Sequence, residues 1–387
     1  MMHKSKVVCY SISAHRAGSD PLVLGRHSNR AVSFFLTEPL SHYSMPSQLI
    51  WQPTSSITLR PDQYSDGISA MAFSVDGRFL AVASGRRTEI WNTRDESTAP
   101  CQTYIASTNT HCLLWFRDGH AFVTGHDGGR LYHNVFSDQG PVSNGFRQQG
   151  FYGKIKSMSI WRDALLLAAA EGQVQVWELE SVSEGYRWNL LGLLPNPPPL
   201  RFRLPATANV AESVHWLSDY EILVSYEGIG VCRYMVQSLY PLEVYLDSCQ
   251  VATGLIQDVC LPTKTFVVCD VTSNMYQLYT HADSQNPRSS TTFIPRSRLL
   301  NRVLPVSRAM FCTVDSILGA SNGRLFLWDL SGSRVQTIDV EGSNGNLITN
   351  LACCFDTAFG CARLAAAFAK NQDYKVVFWK TVETTDN

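Results

Sequence analysis

Short apolar runs with period-two alternation recur along the chain, each bounded by polar turn residues. The clearest unit follows Gly67. Ile68-Ser69-Ala70-Met71-Ala72-Phe73 alternates, Asp76-Gly77 turns, Phe79-Leu80-Ala81-Val82-Ala83-Ser84 runs back, and Thr88-Glu89-Ile90-Trp91 follows. Alternation broken by turn residues predicts antiparallel strands. The first turn returns as Arg117-Asp118-Gly119, Arg162-Asp163 and Ser218-Asp219, where Asp bonds the turn backbone and Gly supplies positive φ. The second turn returns as Gly125-His126-Asp127-Gly128, Glu171-Gly172, Glu227-Gly228, Ser273-Asn274 and Ser321-Asn322-Gly323. After each comes a strand carrying an aromatic: Trp91, Trp177, Trp328 and Trp379, with Phe136, Tyr234 and Tyr279 at similar places between them. One aromatic therefore returns every roughly 40–57 residues, near the period of a four-stranded repeat. A large apolar side chain with one polar handle suits packing between neighbouring repeats, and the four tryptophans are assigned to the core on that ground.

Phe73-Ser74-Val75-Asp76-Gly77, then Leu80-Ala81-Val82-Ala83-Ser84-Gly85, then Trp91 resembles a unit of the WD-repeat (WD40) β-propeller family. Trp328-Asp329 is the literal Trp-Asp pair, with Trp91-Asn92 and Trp177-Glu178 as near matches. The family's Gly-His dipeptide before the first strand is missing, since Gly125-His126 falls between second and third strands. Units open near Ile68, Cys112, Ile155, Val214, Ile256, Ala309 and Ile348. The resemblance implies an all-β fold, a seven-bladed β-propeller of four-stranded antiparallel blades over residues 46–383, with six or eight blades as the neighbouring alternatives. The last unit ends at Lys375-Val376-Val377-Phe378-Trp379-Lys380 and lacks a fourth strand. An open sheet edge templates aggregation, so the segment from Leu49 to Leu59 is expected to close the ring beside it. Residues 1–45 form an N-terminal arm, with a mitochondrial presequence as the alternative because acids are scarce there, and 384–387 a short tail.

Composition narrows the function. Hydrophobic residues make up 45% and charged residues 17%, enough for a substantial core. A net charge of −1 supplies no basic field for a phosphate backbone, which argues against general nucleic-acid binding. The eleven cysteines sit mostly in apolar runs, among them Cys112, Cys232, Cys260, Cys269, Cys312, Cys353 and Cys354, and read as small buried hydrophobes. Their odd number and the lack of Cys-x-x-Cys or Asn-x-Ser/Thr sites point to the cytoplasm or nucleus. No run has the length of a signal peptide or membrane span. Two connections stand out, the proline-rich 195–205 and the arginine- and hydroxyl-bearing 281–302. Each is read as a spacer or solvated loop, with docking or phosphorylation as the alternative.

No catalytic constellation emerges: there is no Gly-x-Ser-x-Gly elbow, P-loop or His-Glu-x-x-His pair, and no cofactor is expected. His111, His120, His126 and His133 suggest metal by type, but His120 and His126 fall at opposite ends of one sheet, so no metal site is expected. Asp76, Asp118, Asp163 and Asp219 occupy equivalent turns and are assigned to turn structure. What remains is a non-catalytic protein-interaction scaffold, a monomeric propeller within a complex that uses its loops to hold a protein or peptide partner. The chosen face is that of the second-to-third-strand connections, with Arg86, Arg87, His126, Asp127, Glu171, Glu227, Asp270, Asn322, Lys370 and Asp373. An alternative rests on Trp91-Asn92-Thr93-Arg94, which resembles the Trp-Asp-x-Arg ending of substrate receptors of a cullin-type ubiquitin ligase. There Arg94 would dock on the ligase's adaptor. An orphan propeller enzyme is the third reading.

Overall fold

The computed structural model describes residues 49–383 except 60–66, 95–98, 137–140, 148–152, 171, 183–184, 199–209, 228, 251–253, 271–274, 281–288, 294–307, 322, 341–347, 357–360 and 371–372. The N-terminal arm and the tail therefore lie outside the described residues. The remainder forms seven four-stranded antiparallel sheets. In six of them the strands pair in chain order, as in the first blade: Ala70–Phe73, Phe79–Ser84, Arg87–Asn92 and Gln102–Ile105. The innermost strands of successive blades lie against one another, and that of the seventh, Ile348–Asp356, returns to Ala70–Phe73, which closes the ring.

The seventh blade is assembled from both ends of the described chain. Ile348–Asp356, Cys361–Lys370 and Asp373–Glu383 are followed outward by Leu49–Leu59, the closing strand expected from the sequence. Trp51 lies opposite Thr381 and Leu59 opposite Tyr374, with a bulge between Pro53 and Ser55. Pro53, which has no N–H to give, is tolerated in such an irregularity on an outermost strand. Trp51 and Leu59 are both buried.

Second strands are enclosed on both faces, so their sequences are continuous apolar or small-residue runs. Leu165–Ala170 and Phe79–Ser84 are buried along their whole length. Between blades the tryptophans act as expected. Trp91 packs with Ala365, Val376 and Phe378 of the seventh blade, Trp177 with Val123 and Leu131 of the second, Trp328 with Val267 and Leu278 of the fifth, and Trp379 with Leu318 and Leu325 of the sixth. Each third-strand tryptophan thus fills the seam to the preceding blade. At Trp328 the fit depends on a glycine: a Cβ at Gly319 would stand 2.7 Å from the Trp328 ring and 2.8 Å from that of Tyr276. Trp328→Ala should cost about 3–5 kcal/mol, because the fifth and sixth blades cannot collapse onto the void without breaking their ladders. Urea denaturation of the two proteins measures it, and a loss below 1 kcal/mol would show that the seam does not depend on this ring.

Four details depart from the sequence reading. Asp76 and Asp118 bond their own turns, at Arg78 N–H (3.1 Å) and at His120 N–H (2.8 Å). Asp163 and Asp219 instead bond across blades: Asp163 accepts from Arg117 N–H (3.0 Å), and Asp219 from the Trp161 indole (2.7 Å) and the Arg162 guanidinium (2.9 Å). Cys232 is not a free thiol but is disulfide-bonded to Cys249, directly opposite it on the neighbouring strand. Within 281–302, Ser289–Phe293 forms the outer strand of the fifth blade, which corrects the reading of that whole segment as a loop. The rest of that segment, and 199–205 of the proline-rich connection, lie outside the described residues.

Candidate functional site

The second-to-third-strand connections share one end of the ring with the connections that lead from one blade into the next, and backbone bonds stitch the two sets together. Thr110 N–H donates to Gly85 O (2.6 Å), Asp127 N–H to Asn109 O (3.1 Å) and Glu227 N–H to Val210 O (2.9 Å). Short turns fixed in this way present side chains from a rigid base. Arg86 and Glu227 are exposed. Arg87 is half-buried and ion-paired with Glu89 at 2.6 Å, and Asp127 is paired with His111 at 2.6 Å. Asp270 is half-buried at the end of its strand. Lys370 and Asp373 oppose one another across the hairpin of the seventh blade. Glu171 and Asn322 lie outside the described residues.

His126 is a correction: it is 1% exposed and turned inward, so it offers no surface contact. Its Nδ1 lies 3.0 Å from the Thr108 carbonyl, which can only accept, so Nδ1 carries the proton and Nε2 accepts from Thr124 Oγ1 at 2.8 Å. Asn134 Nδ2 donates to the same hydroxyl (3.1 Å), and Ser143 Oγ donates to Asn134 Oδ1 (2.7 Å). This relay ties the second, third and fourth strands of the second blade to the connection before it. Burial lowers the His126 pKa to about 4, which keeps the ring neutral. Among the described residues no group of three or more His, Cys, Asp or Glu side chains is arranged for a metal ion.

The ligase-type motif sits at the opposite end of the ring. Trp91 is buried in the seam between first and seventh blades. Arg94 is exposed, and its guanidinium donates to the Asp76 carbonyl at 3.3 Å.

Inner strands of all seven blades line a central cavity of about 750 Å³. Each innermost strand has an edge with no ladder partner, and side chains from neighbouring blades satisfy part of it. Val214 and Trp216 N–H donate to Ser157 Oγ (3.2 Å) and Ser159 Oγ (3.1 Å), Ile256 N–H to Ser225 Oγ (3.2 Å), and Phe311 N–H to Asp258 (2.8 Å). Burial raises the Asp258 pKa to about 6 against the pull of its two backbone N–H donors, Phe311 and Val259. His215, also on the wall, is held down to about 4 by burial. Lys156 and Glu212, on adjacent blades, form an ion pair in the same wall. Sequence reading assigned no role to these channel residues. The available signal was polar residues such as Glu212, His215 and Asp258 interrupting otherwise apolar first strands.

No protein-family model matches the sequence, and no curated protein matches it. By fold, 1271 solved chains are similar, so the architecture alone does not select a function. One is the β-propeller domain of Cps50 (Swd1) from Myceliophteria thermophila, with a TM-score of 0.59 at 14% identity, covering 83% of this chain and 99% of that one. The chain shares the β-propeller architecture with that domain, here with seven blades. Among the described residues no helix is long and apolar enough to cross a membrane.

Proposed function

We propose that the protein is a non-catalytic scaffold, acting in the cytoplasm or nucleus as a single propeller within a larger complex. It holds a protein or peptide partner on the face carrying Arg86, Arg87, Asp127, Glu227 and Asp270. Glu171, Asn322, Lys370 and Asp373 belong to the same set of connections. The observation that carries this reading is the stitched set of short turns with Arg86 and Glu227 left exposed at its surface. Exposed charges on a rigid frame give specificity and encounter rate at an interface.

Affinity purification of the tagged full chain tests it. Arg86→Glu, alone and together with Arg87→Glu, should deplete the main co-purifying protein at least several-fold. The single variant is the cleaner of the two, since reversing Arg87 also places it against buried Glu89. Recovery that is unchanged by both variants would sink this face. Recovery that falls with Arg94→Ala instead, with a ligase adaptor among the lost proteins, would transfer the function to the receptor reading.

A further inference from the structure

Ser107 is exposed in the connection that leads from the first blade to the second, between the strands Gln102–Ile105 and Thr110–Trp115. Backbone bonds pin both of its neighbours: Ala106 N–H donates to Arg86 O at 2.8 Å, and Thr108 O accepts from His126 Nδ1 at 3.0 Å. Arg130 and Tyr132, two residues apart on the strand Arg130–Val135, share one face of it and meet at this serine. Arg130 Nη1 donates to Ser107 Oγ at 2.5 Å, and the Ser107 and Tyr132 hydroxyls are 2.8 Å apart in one shared bond. The Tyr132 ring stands edge-on to buried His126 with centroids 4.7 Å apart, so the relay that fixes His126 also fixes this cluster.

The cluster is rich in donors and holds no acid. A guanidinium carries only donors, and Ser107 takes one of them. The two hydroxyls have a proton each and share a single bond, which leaves the second proton to donate outward. Among the described residues neither Arg130 nor Arg86 is ion-paired, while Glu89 is held by Arg87 and Asp127 by His111, each at 2.6 Å. A carboxylate has two oxygens to offer, one to the guanidinium and one to the hydroxyl, and a guanidinium already fixed in place loses little freedom in taking it. We propose that Arg130, Ser107 and Tyr132 form a recognition site for a carboxylate side chain in an acidic segment of a protein partner, with exposed Arg86 alongside as a second cation. The proposal rests on the partner-binding reading above and names the chemistry that the first two blades select.

Fluorescence anisotropy of the full chain at low ionic strength tests this with two labelled peptides of glycine and serine, alike except that one carries glutamates where the other carries glutamines. Wild type should prefer the glutamate peptide, and Arg130→Gln should weaken its binding about tenfold, the loss expected of a charge-assisted hydrogen bond. Ser107→Ala and Tyr132→Phe should each weaken it about threefold. Arg78→Gln, at an exposed arginine on the opposite end of the ring, should leave it unchanged. Arg130 makes its bond at the surface, so its variant should melt with wild type. Should it not, Tyr132→Phe, which keeps the ring against His126, carries the test. Equal affinity for the two peptides, or a loss with Arg78→Gln as large as with Arg130→Gln, would overturn the site. A single-stranded oligonucleotide that competes as well as the glutamate peptide would overturn a protein as the source of the anion. If the glutamate peptide binds through Arg130 while Arg86→Glu leaves partner capture intact, the site stands and the loop face falls. If Arg86→Glu loses the partner and the glutamate peptide is ignored, the face stands and the acidic segment falls.

Discussion

A chain lacking residues 46–60 should fail to yield a soluble, cooperatively melting monomer. Those residues contain the whole outer strand of the seventh blade, paired with Asp373–Glu383 from Leu49 opposite Glu383 to Leu59 opposite Tyr374. Without them that strand has an unpaired edge rich in Val and aromatic residues, a template for pairing with other chains. The seam loses more than its ladder. Trp51 and Leu59 are 4% and 2% exposed, and Leu59 packs beside Trp91, where the first and seventh blades meet. Trp51 is also bonded to the sixth blade, its N–H donating to Gln336 Oε1 at 3.1 Å. Since closure satisfies every blade at once, its loss is felt around the ring and not at one seam. A permutant that carries residues 46–60 after residue 383 should restore the monomer, because the strand is then supplied from the same side. Size-exclusion chromatography and calorimetry decide the matter, and a soluble deletion variant with a single sharp transition would refute the closure argument.

Acid should unfold this protein well before its carboxylates are fully protonated. His126, His133 and His215 are each held down to about 4, chiefly by burial, from an ordinary value of 6.5. Thr108 and Asp127 oppose the shift at His126, and Asp118 opposes it at His133. When the folded pKa lies below the unfolded one, the unfolded chain binds protons more readily. Stability is then full above about pH 6.5 and declines as pH falls toward 4. By pH 5 each ring should cost on the order of 1 kcal/mol, so the three together remove a substantial share of the stability of a typical domain. Asp258 runs the other way: its raised pKa favours the folded state below about pH 4, and that contribution is lost as pH rises through 6. The histidines outnumber it, so the net slope is loss with acid. Urea melts at pH 7.5, 6 and 5 should show a progressive fall. His215→Gln should make it shallower and Asp258→Asn steeper. Stability that stays level from pH 7.5 to 5 would mean that these rings are solvated.

The difference between what was legible and what was not follows from the range of the interactions. His126 was placed in a surface turn from its position after Gly125, yet its ring turns inward because Thr124, Asn134 and the Thr108 carbonyl form a matching polar pocket. Turn chemistry fixes where the backbone goes; it does not fix which way a side chain on the boundary points. Asp163 and Asp219 occupy the same turn as Asp76, but their acceptor oxygens meet donors on the adjoining blade. The Cys232–Cys249 bond had a usable signal. Each cysteine lies eight residues from the Tyr240-Pro241 turn, so an antiparallel hairpin centred there sets them opposite each other.

From the sequence alone, the repeat period, the strand pattern, the positions of the turns and the need for a borrowed closing strand were all determined. These are local properties, set by period-two alternation, turn residues and the cost of an open edge. Tertiary structure alone decided what converges in the channel. Lys156, Glu212 and Asp258 belong to three different blades, and only closure of the ring around a common axis brings them to the wall of one cavity.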